Sequence, residues 1–318
     1  MKHSNTVPRR LLALAALLLP LAALAEVPAG APNAGADYSK KGADTCLSCH
    51  DSDVVAAVFQ TRHGHPADAR TPFGKGQLQC EACHGPGGNH TKRLKKGETR
   101  PPMIRYGRDS ETPVPAQNAM CLGCHEKTIG ATWHTGPHDT NDVSCAACHD
   151  LHVAKDPVLA RSTQADVCFT CHTGERSQFL KPYSHPVKQG KIACSDCHTP
   201  HGTTAEAQLI RPTINETRYE CHAGKRGPYL WEHAPVTENC ANCHTPHGST
   251  NPGLLTSRGP LLCQSCHSQQ GHQSFSYGPS GLPGGGGPTV TALALGNCMN
   301  CHSQVHGSNH PSGSTLTR

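Results

Sequence analysis

The pattern of apolar and polar residues along this 318-residue chain predicts little regular structure. The apolar run Leu11–Leu24, interrupted by Pro20, is shorter than the roughly 20 residues needed to span a bilayer, and no later segment is apolar enough to do so. Apolar residues between Asp53 and Thr61 have helical spacing and predict a short helix. No stretch shows a convincing strand pattern. We therefore expect short helices and loops, with no significant β-sheet.

The N-terminal residues have the features of a secretory signal peptide. A basic start is followed by the apolar run and by the small-x-small site Ala23-Leu24-Ala25. We therefore predict that residues 1–25 are removed and that the mature chain is exported. Residues 26–44, rich in Pro, Gly and Ala, are predicted to be a flexible linker, and residues 45–318 the functional domain.

The composition argues against an ordinary side-chain core. Hydrophobic residues make up 35% of the chain and aromatic residues 4%, beside 32 glycines and 26 prolines. Such a chain cannot bury enough side-chain surface to offset its conformational entropy. Either it is disordered, or something other than side chains supplies its core.

A repeated box of two cysteines and a histidine accounts for all 19 cysteines. Cys-x-x-Cys-His is the covalent attachment site of a c-type haem, with the histidine binding the iron from one face. Nine boxes are intact, and a tenth reads Arg218-Tyr219-Glu220-Cys221-His222. The predicted thioether cysteines are Cys46, Cys49, Cys80, Cys83, Cys121, Cys124, Cys145, Cys148, Cys168, Cys171, Cys194, Cys197, Cys221, Cys240, Cys243, Cys263, Cys266, Cys298 and Cys301. The predicted proximal ligands are His50, His84, His125, His149, His172, His198, His222, His244, His267 and His302.

Cys-x-x-Cys pairs also bind zinc and form redox disulfides. Those sites do not require a histidine directly after each second cysteine, so nine complete boxes favour haem. Haems would also supply the missing core, and we expect the apoprotein not to fold. The formal charge of +5 includes three positive charges and no negative ones in residues 1–25, which leaves +2. Haem propionates would make the holoprotein acidic, so we expect no nucleic-acid partner.

The boxes fall into five pairs, which define five two-haem repeats. Each repeat contains a leading box, a linker with a histidine, a trailing box and then a trailing histidine. The repeats cover roughly residues 45–112, 113–160, 161–210, 211–258 and 259–318.

The histidines outside the boxes are enough to give every iron a second imidazole. The chain has 24 histidines; ten lie in boxes and His3 lies in the predicted signal peptide. The predicted linker ligands are His63 or His65, His134 or His138, His185, His233 and His272. The predicted trailing ligands are His90, His152, His201, His247 and His306.

Three histidines are surplus: one of each doublet, and His310. His138 is preferred because it lies seven residues before the next box, as His233 does. His63 is preferred to His65, although no spacing decides between them.

A trailing histidine is too close in sequence to its own box to reach round the porphyrin. His152, His201 and His247 should therefore ligate neighbouring haems, which brings successive haems close together. Two imidazoles fill both axial positions of an iron, whereas substrate chemistry needs an open one. The pattern predicts an electron-transfer protein, with a linear chain of haems, rather than an enzyme.

The seventh site has Arg218 in place of the first cysteine. One interpretation keeps the haem on a single thioether at Cys221, with His222 and a distal imidazole on the iron. The other leaves an empty site and a free thiol. Nine haems with two thioethers each, and a tenth with one, are the favoured complement.

Beyond the boxes, several segments resemble the MtrA/DmsE-type decahaem cytochromes. They are Cys80–His90, the twin Cys-His-Thr-Pro-His-Gly segments at 197–202 and 243–248, Leu230–His233 and Cys301–Gly313. The resemblance covers the whole mature chain and departs from the family pattern at Arg218. It implies an elongated periplasmic cytochrome inserted in an outer-membrane β-barrel porin. That cytochrome would exchange electrons between periplasmic or inner-membrane cytochromes and an extracellular cytochrome, reductase or mineral, in a direction that stays open.

Two other functions remain open from the residues. One is a soluble periplasmic shuttle or electron store that works without a porin. The other is a multihaem reductase with one five-coordinate haem, for which the seventh site is the candidate.

Overall fold

The computed structural model describes residues 27–28, 30–267 and 297–317. The predicted signal peptide and His272 lie outside the described residues. The α-helices within them are short, and the longest, α4, has 12 residues. The α-helices are α1 Ala43–Leu47, α2 Asp53–Ala56, α3 Glu81–His84, α4 Val114–His125, α5 Ala131–Trp133, α6 Pro137–Thr140, α7 Gln164–Phe169, α8 Thr173–Phe179, α9 Ile214–Tyr219, α10 Ala234–Glu238 and α11 Gly259–Gln264.

Single turns of tighter or wider helix supply most of the remaining regular structure. The 3₁₀ turns are Ala57–Gln60, Cys145–Ala147, Pro157–Leu159, Cys194–Asp196, Glu206–Gln208, Ala223–Lys225, Cys240–Asn242, Pro252–Leu254 and Cys298–Asn300, and a π-helical turn covers Glu126–Gly130. In the described part of the chain the sheet has two strands of two residues. β1 (Tyr183–Ser184) pairs antiparallel with β2 (Gly248–Ser249), Tyr183 opposite Ser249. The prediction of short helices without a significant sheet is confirmed.

The two boxes of a pair differ in local structure, and the difference recurs along the chain. Each leading box starts within or directly after an α-helix, namely α1, α4, α7, α9 or α11. Four trailing boxes start on a 3₁₀ turn, and the fifth starts directly before α3. Helix α9 contains Arg218, the first residue of its box, as α7 contains Cys168. The fourth repeat therefore keeps the local fold although its first thiol is missing.

A buried asparagine connects the two boxes in two of the repeats. Asn118 lies three residues before Cys121, and its side-chain oxygen accepts from the Cys145 N–H at 2.8 Å. Asn215 lies three residues before Arg218 and accepts from the Cys240 N–H at 2.7 Å. These hydrogen bonds set the trailing box against the helix of the leading box.

The segment before the first box packs against the second box. The buried Asn33 amide donates to the His84 carbonyl at 2.8 Å. The Ser39 hydroxyl donates to the buried Glu81 carboxylate at 2.7 Å. The composition of residues 26–44 predicts a flexible linker, whereas these polar contacts, which composition does not reveal, hold Asn33 and Ser39 against the second box.

Buried apolar side chains form only small clusters in the described residues. Ala165, Phe169, Phe179 and Val187 form one cluster. The other is built around Ile104, which is fully buried. Clusters of this size do not make a core for a chain of this length.

Glycines after the trailing histidines allow neighbouring repeats to touch through their backbones. A Cβ at Gly202, where φ is 101°, would overlap the Thr132 carbonyl of the preceding repeat. A Cβ at Gly248 would overlap the Gln178 carbonyl in the same way. Since Gly202 directly follows His201, this close approach fixes where that histidine enters the preceding repeat.

We predict that Gly202→Ala destabilises the holoprotein by about 1–3 kcal/mol, because the added methyl must displace a backbone carbonyl. Gly97→Ala is the matched control, since Gly97 has a similar φ of 91° but a Cβ there meets nothing within 4 Å. Thermal unfolding of both variants provides the measurement. Equal midpoints for the two would show that the approach at Gly202 is not tight.

Candidate haem-binding sites

A single continuous cavity runs past all ten boxes. Its volume is about 4710 Å³, and it is lined by cysteines and histidines of every box, together with apolar side chains such as Val55 and Leu316. Spread over ten boxes this is about 470 Å³ each, within the roughly 300–1,000 Å³ typical of cofactor pockets. The cavity therefore has room for a cofactor at each box. In the following, site 1 to site 10 denote the boxes in chain order.

Across this cavity, a second imidazole faces the box histidine at each of sites 1–9. A metal–imidazole bond is about 2.0–2.1 Å long, so two imidazoles on opposite sides of one ion have ring centres about 6.3 Å apart. The observed separations are 6.0–6.4 Å. In site order the pairs are His50–His90, His84–His152, His125–His63, His149–His201, His172–His138, His198–His247, His222–His185, His244–His306 and His267–His233. The residues present thus fit a haem held between two imidazoles.

The facing histidines cross between repeats in two directions. A linker histidine faces the leading box of the next repeat, as His63 faces His125. A trailing histidine faces the trailing box of the previous repeat, as His201 faces His149. Each internal repeat therefore gives one imidazole to each neighbour and receives one from each.

The ends of the chain depart from this scheme. Site 1 has no preceding repeat, and its box histidine His50 faces His90 of its own repeat. At site 10 the Nδ1 atom of His302 lies 2.6 Å from the Thr315 carbonyl. Its predicted partner His272 lies outside the described residues.

In each histidine doublet, His63/His65 and His134/His138, one member faces a box histidine. His63 and His138 face box histidines at 6.0 and 6.2 Å. The ring of His134 lies instead beside the carboxylates of Glu126 and Asp139, at 3.4 and 3.6 Å. The arrangement favours His63 and His138, the residues preferred from the sequence, as ligands.

Within each intact pair the first cysteines of the two boxes interact electrostatically. The thiol of Cys80 raises the pKa of Cys46 by hydrogen bonding, and the thiol of Cys145 does the same to Cys121. The same contact joins Cys168 to Cys194 and Cys263 to Cys298.

Between pairs the second cysteines approach each other. Burial raises the pKa of Cys83 to about 11, and the charge of Cys124 adds to the shift. Equivalent interactions join Cys148 to Cys171, Cys197 to Cys221 and Cys243 to Cys266. First-cysteine and second-cysteine contacts thus alternate along the chain, so that neighbours in sequence are neighbours in space.

The seventh site keeps its imidazoles despite Arg218. His185 and His222 face each other at 6.4 Å, as at the intact sites. The Arg218 guanidinium turns to site 8, where it donates to the His244 carbonyl at 3.5 Å. Cys221 remains exposed, near Cys197 of site 6.

Burial and hydrogen bonds at Nδ1 prepare the imidazoles for metal binding. Burial lowers the pKa of His84, His201 and His247, which favours the neutral form that binds iron. Backbone carbonyls accept from Nδ1 of many of these rings, for example Ile104 from His84 at 2.8 Å. Such a contact fixes the tautomer and leaves Nε2 for the metal.

Comparison with known proteins matches parts of the chain to families of c-type cytochromes and of the box motif. The doubled CXXCH motif family matches residues 185–227 and 233–272. The family of NrfB-like c-type cytochrome proteins matches residues 80–165.

Among similar proteins, the multihaem cytochrome MtrA of Shewanella baltica (strain OS185) is 50% identical over 284 residues, which cover 89% of this chain and 83% of that protein. This chain belongs to the MtrA family of multihaem c-type cytochromes. It is therefore an electron-transfer cytochrome that carries several haems c on its boxes, and the resemblance seen in the sequence is confirmed.

More distant relatives share part of the chain. The c-type cytochrome NrfB of Haemophilus influenzae is 26% identical over 151 residues, covering 42% of this chain and 65% of that protein. The high-molecular-weight cytochrome c of Nitratidesulfovibrio vulgaris is 26% identical over 215 residues, which cover 57% of this chain and 38% of that protein.

The two doublets allow a direct test of the ligand assignments. We expect His63→Ala to leave the site-3 iron five-coordinate and to add one haem equivalent of high-spin ferric signal to the electron paramagnetic resonance spectrum. His65→Ala, the matched control, should add none, because His63 already occupies the facing position. A high-spin signal in His65→Ala but not in His63→Ala would reverse the assignment.

Proposed function

We propose that this cytochrome is the periplasmic component of an outer-membrane electron conduit, inserted in a β-barrel porin. It would exchange electrons with periplasmic or inner-membrane cytochromes at one end and with an extracellular cytochrome or reductase at the other. The observation that carries the proposal is the unbroken series of facing imidazole pairs from site 1 to site 9.

Haem c, bound at these sites, would supply one-electron chemistry. At sites 1–9 the chain would hold each cofactor between two imidazoles, and a cofactor held in this way would have no open position for a substrate. The box histidine and the facing histidine of each site have this role. The alternating approach of first and second cysteines brings each box next to the following one.

The irregular backbone of the chain supports the porin part of this proposal. A membrane with its headgroups is about 40–45 Å thick. In the described part of the chain, no helix has the length and apolar character needed to cross it. Irregular backbone cannot be exposed to lipid, where its polar groups would stay unsatisfied. The polar lumen of a β-barrel would shield such a wire while it crosses the membrane.

We further propose that all ten sites hold haem, with the seventh attached by Cys221 alone. Its imidazole separation of 6.4 Å is close to that of the intact sites. The tenth iron would take His302 and His272.

Intact-mass spectrometry under denaturing conditions tests the seventh site. We expect the mass of ten haems in the wild type and of nine in Cys221→Ala, because a haem without a thioether is lost on denaturation. Arg218→Cys is the matched variant and should retain ten. A wild-type mass with nine haems would mean that the thiol of Cys221 is unmodified and the series is broken.

The conduit is tested with the tagged cytochrome purified from outer membranes. We expect a barrel protein to co-purify in fixed proportion, and vesicles containing both proteins to pass electrons from an external reductant to an enclosed dye. Vesicles mixed with the cytochrome alone are the control. Recovery without a barrel protein, or equal dye reduction in the control, would favour the soluble shuttle.

A further inference from the structure

One box histidine has a carboxylate on its second nitrogen. The Nδ1 atom of His149 lies 2.7 Å from Oδ2 of Asp156, whose side chain is 9% exposed. His149 is the box histidine of site 4, and it faces His201 at 6.0 Å with the rings 17° from parallel.

The other trailing boxes provide an internal comparison, because they have the same place in the repeat. Their histidines contact backbone carbonyls at Nδ1: His84 contacts Ile104, His198 contacts Ala207, His244 contacts Gly253 and His302 contacts Thr315, at 2.6–2.8 Å. Among these Nδ1 contacts between described residues, only that of site 4 has a charged acceptor in place of a neutral one.

The carboxylate is held in position from its other side. Oδ1 of Asp156 accepts from the backbone N–H groups of Val158, at 3.2 Å, and Asp150, at 3.4 Å. Asp156 thereby caps the 3₁₀ turn Pro157–Leu159. These bonds direct Oδ2 at the imidazole, so the contact is a fixed part of the site.

We propose that Asp156 lowers the reduction potential of the site-4 haem below the value that a carbonyl acceptor would give. A carboxylate draws the Nδ1 proton towards itself and makes the imidazole a stronger donor to iron, which favours the ferric form. The nearly buried negative charge also opposes the arrival of an electron. Asp156 is thus a positioning and tuning residue that acts through His149. The inference rests on the proposed ligation of site 4 by His149 and His201.

Other charges near site 4 act from further away. The Arg108 guanidinium donates to Thr170 Oγ1 at 3.0 Å and contacts the Cys171 sulfur, on the side of site 5. Arg161 is engaged by Asp196 at 2.7 Å. A carboxylate next to another box histidine, Glu175 beside His172 at site 5, lies beyond hydrogen-bonding distance at 3.7 Å and is 43% exposed. Glu175 therefore provides a matched control.

The test follows the site-4 iron alone. His201→Ala should make that iron high-spin and so distinguish its signal from those of the other haems. Potentiometric titration of this signal is then compared between His201→Ala and His201→Ala with Asp156→Asn. Asparagine keeps a carbonyl acceptor and a capping side chain but removes the charge. We expect the ratio of ferrous to ferric iron at a fixed potential to rise at least tenfold, which is 59 mV for a one-electron couple.

Two controls separate tuning from a structural role. Asp156→Ser also keeps a cap without the charge and should shift the titration in the same direction. Glu175→Gln should leave it unchanged. A high-spin signal whose midpoint does not respond to Asp156→Asn overturns the tuning role, while the ligation stands. Absence of a one-haem high-spin signal in His201→Ala overturns the ligation, and the inference with it.

Discussion

At each of sites 1–9, two imidazoles from distant parts of the chain face each other with ring centres 6.0–6.4 Å apart. A box histidine sits on one turn beside the thiols, so its own sequence neighbours cannot reach the opposite face. The partner therefore comes from another segment, and in the internal repeats from another repeat. This requirement shapes the fold more than side-chain packing does, since the apolar clusters of the described residues are small.

The repeat persists where its chemistry is damaged. At Arg218 the first thiol is missing, yet helix α9 and the hydrogen bond that the Cys240 N–H donates to Asn215 match those of an intact repeat. His185 still crosses over to face His222. The local fold at this site depends on the asparagine and the imidazoles more than on the first cysteine. An arginine there changes the charge between sites 7 and 8 without interrupting the series of facing imidazoles.

Much of this could be read from the sequence because box chemistry is local. Five adjacent residues specify attachment, and counting histidines shows that a second ligand is available for every iron. The cross-over of the trailing histidines also follows from chain length, since three or four residues cannot pass round a porphyrin. The destination of each histidine could not be read, because it depends on how repeats pack. The sequence does not reveal, for example, that a linker histidine faces the next repeat, as His63 faces His125.

Other features were hidden for a related physical reason. The anchoring of Asn33 and the role of Asp156 arise from single hydrogen bonds between segments, which leave no periodic signal. The repeated His-Gly pair shows the glycines after the trailing histidines in the sequence. The reason for glycine there appears only in the structure, where a Cβ would overlap a carbonyl of the preceding repeat.

The two-way exchange of imidazoles has a consequence for how such proteins change length during evolution. An internal repeat provides one histidine to the next repeat and one to the previous repeat, and it receives one from each. Duplicating or deleting a whole internal repeat therefore leaves every box histidine with a facing imidazole. The repeats that become neighbours provide the same linker and trailing histidines to each other. Cutting the chain between two repeats removes a facing histidine from a box on each side of the cut. Lengths should thus vary in steps of two haems, by changes inside the array, while the specialised ends are retained.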